Sequence, residues 1–430
     1  MIAGKGNKIA ILSKMKINPY INRLIKIIGR ETVKRRINAY LVGGPVRDLL
    51  LGKSNIDLDI VLDKDVKRVI VPLARILSAS YVYHPRFKTA KLFLKDFHID
   101  MATIREEYYP CIGSLPQVRI TSTINKDLFR RDFTINAMAM KISERGITDL
   151  IDPYNGREDL KRKKIRVIHE NSFLDDPTRI IRAIRFATRF NFSFERNTLQ
   201  LLKEAVAKNV FSKITAVRIG NEIIRILKED NPFKGIKKVW QLCGLEFIHP
   251  AIKFDVRWEK YSSQISRWAR RFEENICQPL ERWLIYFIFL TERLDKNSLE
   301  HLCMKYELDK HKRLVVLHAS KIRGVNEHRF FGCKNSELFN LLNPIFPESI
   351  IYLIVKIKDI SLKRKIFNFL IKFYQTKLFT DGEKLKKMGF SPGPAFNKIL
   401  EALFFARLDG IVHSEKEEEN FITENFSSEL

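Results

Sequence analysis

A strand–turn–helix pattern at residues 41–52 constrains the fold of this chain more than any other feature. The segment reads LVGGPVRDLLLG, an apolar strand that ends at a Gly-Gly pair and leads into a helix. Glycine permits close approach to the backbone, and the N–H groups at a helix start lack partners within the helix. The turn therefore predicts a site for an anion such as phosphate, and Arg47 adds a planar cation one turn into the helix.

Two aspartates lie on the next predicted strand, IDLDIVL at residues 56–62. Its alternation has a period of two, which predicts that Asp57 and Asp59 share one face. Such carboxylates repel each other. Magnesium ions between them would relieve the repulsion, activate an attacking hydroxyl and hold phosphates. A solvated surface pair is the alternative, but the flanking residues are apolar. The turn and the paired aspartates together predict nucleotidyl transfer.

Two further segments carry candidate ligands. Asp100 lies in the apolar strand FHIDMA at residues 97–102, where it is either a third metal ligand or a single aspartate at a strand end. The segment RRDFTIN follows at residues 130–136. Its Arg131 could grip a phosphate through two hydrogen bonds, and Asp132 and Asn136 could bind a ribose hydroxyl. A charged turn before a strand would use the same residues.

The segment DDPTRIIRAIRF at residues 175–186 is the second strong signal. Pro177 suits the first position of a helix, which makes Asp176 a natural N-cap. The arginines at positions 179, 182 and 185 recur every three residues and form a ridge along one side of that helix. Arg179, Arg182 and Arg185 would be a solvated basic face in the plainest interpretation.

A carboxylate beside a guanidinium also predicts a more specific function, the recognition of a nucleobase edge. Cytosine and adenine each present an amino donor next to a ring-nitrogen acceptor, whereas guanine and uracil present a carbonyl next to an N–H. Asp176 and Arg179, held side by side, would therefore match C and A and mismatch G and U. Each such polar pair discriminates by about 1–3 kcal/mol. The pair predicts a site in which the protein itself selects C and A.

Composition limits the class of protein. The 430 residues include 77 Lys and Arg against 50 Asp and Glu, a net charge of +27, which favours a polyanionic partner such as nucleic acid. A general lysine bias would explain part of this charge. The five cysteines lack CxxC spacing, and no apolar run reaches the 18 residues of a membrane span. We expect a cytoplasmic enzyme without a membrane segment, in preference to an organellar one with a basic leader.

The order of patterns predicts an α+β protein with an α/β head followed by helices only. Strand patterns crowd the region up to about residue 167, and helical spacing dominates from Pro177 onward. The expected divisions are a helical segment 1–36, a catalytic head 37–170, a neck 171–230, a body 231–365, a tail 366–414 and an acidic disordered end 415–430.

Taken together, these motifs resemble one family. GGPVRDLLLG with DLD, RRDFTINA, DPYNG at residues 152–156 and DDPTRIIRAIRF occur in the order typical of class II tRNA nucleotidyltransferases and bacterial poly(A) polymerases, which share a DNA polymerase β-like head with a mixed sheet. The resemblance implies a template-independent enzyme that uses magnesium, CTP and ATP to extend the 3′ end of tRNA. It also implies that the helical neck, body and tail grip the tRNA acceptor arm.

The resemblance also implies roles for single residues. Asp57 and Asp59 would ligate magnesium, whereas Asp100 is a candidate only from its place in the strand at residues 97–102. Gly44, Arg47 and Arg131 would bind the triphosphate and sugar of the nucleotide, Asp176 and Arg179 would read its base, and Arg182 and Arg185 would support the triphosphate.

One departure from the family leaves the product open. Residues 106–118, EEYYPCIGSLPQV, lack the charged loop that many CCA-adding members use to switch from C to A. The chain is therefore expected to add all of CCA, only CC, or only the terminal A. A poly(A) polymerase is the alternative of the same fold, and a non-catalytic RNA-binding protein is the remote one.

Overall fold

The computed structural model describes residues 17–54, 56–95 and 97–427. These residues form two compact units, one up to Glu222 and one from Ile223 onward. The predicted head and most of the predicted neck belong to the first unit, and the predicted body and tail belong to the second.

The first unit is built on a mixed sheet, as predicted, and this sheet has seven strands. The strands of the unit are β1 Ala39–Val42, β2 Leu58–Leu62, β3 Ser80–His84, β4 Thr89–Leu94, β5 Phe97–Thr103, β6 Arg105–Tyr108, β7 Gln117–Ile120, β8 Ala139–Ser143, β9 Gly146–Ile151, β10 Lys164–Ile165 and β11 Ser193–Phe194. The sheet order is β3-β4-β5-β2-β1-β8-β9, in which β2 and β5 are parallel and the other neighbours are antiparallel. The hairpin β6–β7, which spans residues 105–120 and includes the segment 106–118, was not predicted.

Helices surround this sheet. They are α1 Pro19–Lys34, α2 Gly44–Leu50, α3 Lys67–Ile76, α4 Ile124–Phe129, α5 Gly156–Arg162, α6 Ser172–Asp175, α7 Thr178–Phe190, α8 Arg196–Ala207 and α9 Ala216–Leu227, which contains the division between the units. The side chain of Asn18 caps α1 by accepting a hydrogen bond from the backbone N–H of Tyr20. A side chain at Gly29 would collide with the backbone of Ser143, so glycine allows α1 to pack directly on β8.

The second unit consists of helices only, in agreement with the helical spacing after Pro177. They are α10 Pro232–Cys243, α11 Arg257–Ile276, α12 Arg282–Thr291, α13 Lys296–Lys305, α14 Lys310–Ile322, α15 Asn335–Leu342, α16 Pro347–Lys356, α17 Ile360–Gln375, α18 Gly382–Lys387, α19 Pro394–Asp409 and α20 Glu415–Phe426. Residues 283–291 of α12 are all buried, so this helix forms the centre of the unit. Among the described residues no single helix is long and apolar enough to cross a membrane, and only the bent pair α15 and α16 passes by length and composition.

The acidic end is a correction to the prediction of disorder. Residues 415–426 form α20, and Glu418 is fully buried. Its carboxylate accepts hydrogen bonds from the backbone N–H groups of Phe379 (3.0 Å) and Thr380 (2.8 Å), and Ile422 packs in the core four residues further on. The acidic composition led to the prediction of disorder. The helix is nevertheless ordered, because its apolar residues are packed in the core and the charge of Glu418 is hydrogen-bonded. Residues 1–16 and 428–430 lie outside the described residues.

One predicted boundary is also corrected. The division between body and tail at 365/366 falls inside the continuous helix α17. No linker separates the two segments at that point, because the helix has the same apolar face on both sides of it.

Candidate active site

Asp59 and Asp100 lie side by side on adjacent strands. Asp59 on β2 is the register partner of Asp100 on the parallel strand β5. Both line an open cleft of about 510 Å³ over the sheet, together with Arg131. The sequence did not predict the strand order. This order brings Asp100 next to the predicted aspartate pair.

The electrostatics of Asp59 fit a cation. Burial raises the pKa of its carboxyl, and the negative charges of Asp100 and Asp57 raise it further, while Arg131 and His98 act in the opposite direction. Carboxylate oxygens are the ligands that hard divalent cations prefer, and one or two of them suffice when the substrate's phosphates and waters complete the shell. The donors present therefore fit such an ion.

The position of Asp57 differs from the predicted one. Strand β2 begins at Leu58 rather than at residue 56, so Asp57 is exposed and precedes the sheet. It lines a second cleft with Lys53 and Lys95, although its charge still reaches Asp59. Alternation along the sequence does not reveal where sheet pairing ends, which is why the two carboxylates were expected on one rigid face.

Asp100 has basic neighbours that the sequence did not suggest. Lys91 Nζ lies 3.2 Å from Asp100 Oδ1, and His98 Nε2 lies 3.5 Å from Asp100 Oδ2. Within the described part of the chain, no group of three carboxylate, imidazole or thiol side chains is assembled into a metal cluster. The role of Asp100 as a metal ligand thus stays a prediction.

The glycine that the turn requires is Gly43 rather than Gly44. Gly43 has φ +74°, a conformation that side chains rarely adopt, and a Cβ there would lie 2.5 Å from Arg131 Nη1. Gly44, the first residue of α2, has only ordinary contact with Arg47. The predicted Gly-Gly turn is present, and the guanidinium of Arg131 packs directly on it. Phosphate binding at this turn stays a prediction.

A buried carboxylate holds Arg131 in that place. Asp127 on α4 is fully buried, and its Oδ2 accepts a hydrogen bond of 3.0 Å from Arg131 Nη2. Its Oδ1 accepts hydrogen bonds from Arg130 Nε (3.1 Å) and Nη2 (3.0 Å). Sequence reasoning missed Asp127, although its position four residues before Arg131 is the helical spacing that allows such a pair.

Asp132 and Asn136 link two predicted arginines. Arg47 Nη1 donates to Asn136 Oδ1 at 2.6 Å, and Asn136 Nδ2 donates to Asp132 Oδ1 at 2.9 Å. Arg182 donates to Asp132 Oδ2 through Nε (3.0 Å) and Nη2 (2.6 Å), and it also approaches Glu222. These contacts orient Arg47 and Arg182. Ribose binding by Asp132 and Asn136 stays a prediction.

The arginine ridge is not a solvated face. Arg179 is 4% exposed; it donates to Ser172 Oγ (2.7 Å) through Nη1 and to the carbonyl of Arg130 (2.9 Å) through Nη2. Arg185 is buried too, with Nε 3.8 Å from Glu222 Oε2. A buried guanidinium must be paired. These contacts show that this side of α7 packs against other segments of the first unit and does not face water.

Asp176 lies just before α7 and is held from two sides. Its Oδ1 accepts from the backbone N–H of Thr178 (3.0 Å) and from Arg218 Nη2 on α9 (2.8 Å). Arg218 Nη1 in turn donates to the carbonyl of Gly113, between β6 and β7. Helix α7 begins at Thr178 with Pro177 as its N-cap residue, one residue later than predicted, so Asp176 is not the N-cap itself. Its carboxylate still bonds to the first backbone N–H of the helix and has a second fixed partner in Arg218.

Tyr109 is a neighbour of Arg179 that the sequence did not single out. Its hydroxyl lies 3.4 Å from Arg179 Nη2, and the guanidinium carbon lies 5.8 Å from the centre of its ring. Burial raises the pKa of Tyr109 to about 12, so the phenol stays neutral in the ordinary pH range. The loop that departs from the family pattern thus contacts Arg179, the arginine predicted to read the base.

Comparison with known proteins decides the family. Residues 39–166 match the family model of the poly A polymerase head domain. A solved structure of a CCA-adding enzyme in an apo form aligns with 97% of this chain and 98% of its own, at 32% identity and a TM-score of 0.74. The chain belongs to the tRNA nucleotidyltransferase and poly(A) polymerase family.

Other family members differ in extent and bound substrate. The A-adding tRNA nucleotidyltransferase of Geobacter sulfurreducens is 31% identical over 396 residues, which are 90% of this chain and 45% of that protein. The chain spans about half the length of the curated relatives it matches. The Thermotoga maritima CCA-adding enzyme complexed with tRNA aligns with 97% of the chain at 30% identity and a TM-score of 0.68.

Proposed function

We propose that this protein is a magnesium-dependent nucleotidyltransferase that adds C, A or both to the 3′ end of tRNA, using CTP and ATP. The single observation that carries the proposal is the segment Arg130–Asn136. It positions Arg131 over the phosphate turn, ties Arg47 to Arg182 through Asn136 and Asp132, and accepts a hydrogen bond from Arg179. Solved members of the family with ATP, CTP or tRNA support the choice of substrates.

In this proposal the carboxylates bind the metal ion and the arginines bind the triphosphate. The 3′-hydroxyl oxygen of the RNA loses its proton to solvent and forms a bond to the α-phosphorus. The bond between that phosphorus and the bridging oxygen to the β-phosphate breaks, and pyrophosphate leaves. Asp57 and Asp59, with Asp100 beside them, would hold magnesium, which supplies a more acidic hydroxyl and charge neutralisation. Arg131 and Arg47 would bind the triphosphate, and their fixed positions mean that little reorganisation is needed as charge develops.

Base selection would come from Asp176 and Arg179. Each is held by partners in the first unit, so neither can adapt freely to a mismatched base. A carboxylate accepts from the amino group of C or A, and a guanidinium donates to the adjacent ring nitrogen. G and U would leave these groups unpaired, which costs about 1–3 kcal/mol for each buried polar group.

The other parts of the chain have supporting roles in the proposal. The divisions into head, neck, body and tail are kept as functional regions, with the body and tail continuous through α17. The helices from Ile223 onward would bind the tRNA acceptor arm. The net charge of +27 supports this, because phosphate contacts supply most of the affinity of such proteins for RNA. The unpaired cysteines support a cytoplasmic location.

The test uses three tRNA transcripts and one nucleotide at a time. Purified protein is incubated with magnesium and transcripts that end at the discriminator base, at C, or at CC. Addition of C, of A, or of both in order supports the proposal and defines the product. Absence of any addition to all three transcripts would refute it.

A poly(A) polymerase is the second candidate, because the family model that matches residues 39–166 is that of a poly A polymerase head. Long A tails on unrelated RNAs, with no preference for tRNA, would favour this candidate. The same incubation with a non-tRNA transcript therefore separates the two functions.

A further inference from the structure

One face of the sheet carries an ordered row of side chains that starts at the carboxylate pair. Sheet register places Asp59 opposite Asp100, Asp100 opposite Lys91, and Lys91 opposite Val82. The row therefore crosses β2, β5, β4 and β3 in that order and ends at the edge of the sheet. Because side chains at register positions point to the same side, all four project from one face.

The outer half of this face is open and partly apolar. Val82 is 46% exposed and Phe93 is 41% exposed, and both line the cleft that contains Asp59 and Asp100. Phe93 shares its face of β4 with Lys91, two residues away. Helix α3 packs on the opposite side of the sheet, with Leu73 in the core. We call Val82, Lys91 and Phe93 the platform.

The platform has the chemistry of a surface that binds single-stranded nucleic acid. Aromatic side chains on the open face of a sheet stack on nucleobases, and nearby cations attract the phosphates. The two strand spacings from β5 to β3 cover about 10 Å, which is wide enough for a base. An exposed phenylalanine beside Lys91, within the active-site cleft, has both features.

The geometry of the reaction assigns an occupant. In an in-line displacement the attacking oxygen and the leaving pyrophosphate lie on opposite sides of the α-phosphorus. The phosphate turn at Gly43 follows β1, on one side of β2, whereas the platform lies on the other side, beyond β5. If the triphosphate is bound at the turn, the RNA must approach from the side of the platform.

We infer that the platform binds the 3′-terminal nucleotide of the RNA that is to be extended, with its base on Phe93 and its phosphate near Lys91. This inference rests on the proposed function, and it names the part of that site which takes the RNA rather than the nucleoside triphosphate.

The test compares Phe93→Ala with Tyr81→Ala. Tyr81 is a matched control because it is aromatic, 42% exposed and on the opposite face of the adjacent strand β3. We expect Phe93→Ala to raise KM for tRNA by about tenfold, the loss of one stacked base, with KM for the nucleotide unchanged. Tyr81→Ala should leave both values as in the wild type.

Three results would overturn the inference: equal effects of the two substitutions, no change in KM for tRNA, or a rise in KM for the nucleotide instead. A wild-type protein that extends no RNA would refute the proposed function, whereas an active wild type with an unchanged Phe93→Ala variant would refute the platform alone.

A measurement that does not depend on folding of a variant uses the wild-type protein. A tRNA whose 3′-terminal nucleotide is thiouridine is irradiated in complex with the protein, and the crosslinked peptide is sequenced. Crosslinks within residues 89–94 support the platform, and crosslinks confined to other segments overturn it.

Discussion

Replacing Asp127 with asparagine tests whether a buried carboxylate positions Arg131, the arginine proposed to bind the triphosphate. The substitution keeps the shape of the side chain and removes its charge. Asp127 is fully buried, and it accepts hydrogen bonds from Arg131 at 3.0 Å and from Arg130 at 3.0 and 3.1 Å. Removing one partner from a buried ion pair costs about 3–5 kcal/mol. For a unit of this size that corresponds to a fall in Tm of roughly 6–20 °C.

The same substitution should weaken nucleotide binding. Arg131 would lose the partner that keeps its guanidinium on Gly43 and near Asp59. The loss of one charge-assisted hydrogen bond is worth about 1.5–3 kcal/mol, so KM for the nucleotide should rise by roughly tenfold or more. KM for tRNA should change much less, because the basic residues proposed to bind RNA are spread along the chain.

Glu107→Gln provides the matched control. Glu107 Oε1 also accepts a hydrogen bond from Arg130 (3.1 Å), and its carboxylate is nearly as well buried, but it does not hold Arg131. We expect a smaller loss of stability and an unchanged KM for the nucleotide. An Asp127→Asn variant with the Tm and nucleotide KM of the wild type would refute the reasoning, and so would equal changes in both variants.

The difference in unfolding free energy between the wild type and Asp127→Asn should depend on pH, which gives a further check. Burial raises the pKa of the Asp127 carboxyl, but Arg131 and Arg130 lower it more, so the pKa in the folded protein lies below its ordinary value of 3.8. A lowered pKa stabilises the protein above the unfolded pKa, and that stabilisation is lost as pH falls through the folded value. The difference in unfolding free energy between wild type and Asp127→Asn should thus hold above about pH 5 and shrink below about pH 4.

Three other substitutions have definite expected outcomes. Asp59→Ala should abolish nucleotide addition while filter binding of tRNA survives; retained turnover would exclude the proposed metal site. Arg179→Ala should relax discrimination of CTP and ATP against UTP and GTP by about tenfold, measured as ratios of kcat/KM, and unchanged ratios would contradict its role in base selection. Glu418→Gln should lower the unfolding free energy of the helical unit by about 1–3 kcal/mol, because its buried carboxylate accepts backbone N–H groups of Phe379 and Thr380. Denaturation unchanged from wild type would show that α20 is held in another way.

Local features of the sequence predicted most of the secondary structure and supplied the candidate residues of the site. Alternation of apolar residues predicted the main strands of the sheet, and the Gly-Gly pair predicted the turn after β1. Pro177 and Asp176 marked the start of α7 because capping depends on residues adjacent in the chain. Asp59, Arg131 and Arg179 were likewise visible as residue types whose chemistry suits metal, phosphate and base.

Only the tertiary structure decided which of these groups meet and what holds them. The parallel pairing of β2 with β5 puts Asp100 beside Asp59, and the further register brings Lys91 into the same row. Burial of Asp127 and Glu418 depends on partners that the fold brings to them, which local composition does not encode. Patterns along a chain report nearest neighbours, whereas register, burial and long-range ion pairs arise only when distant segments pack together.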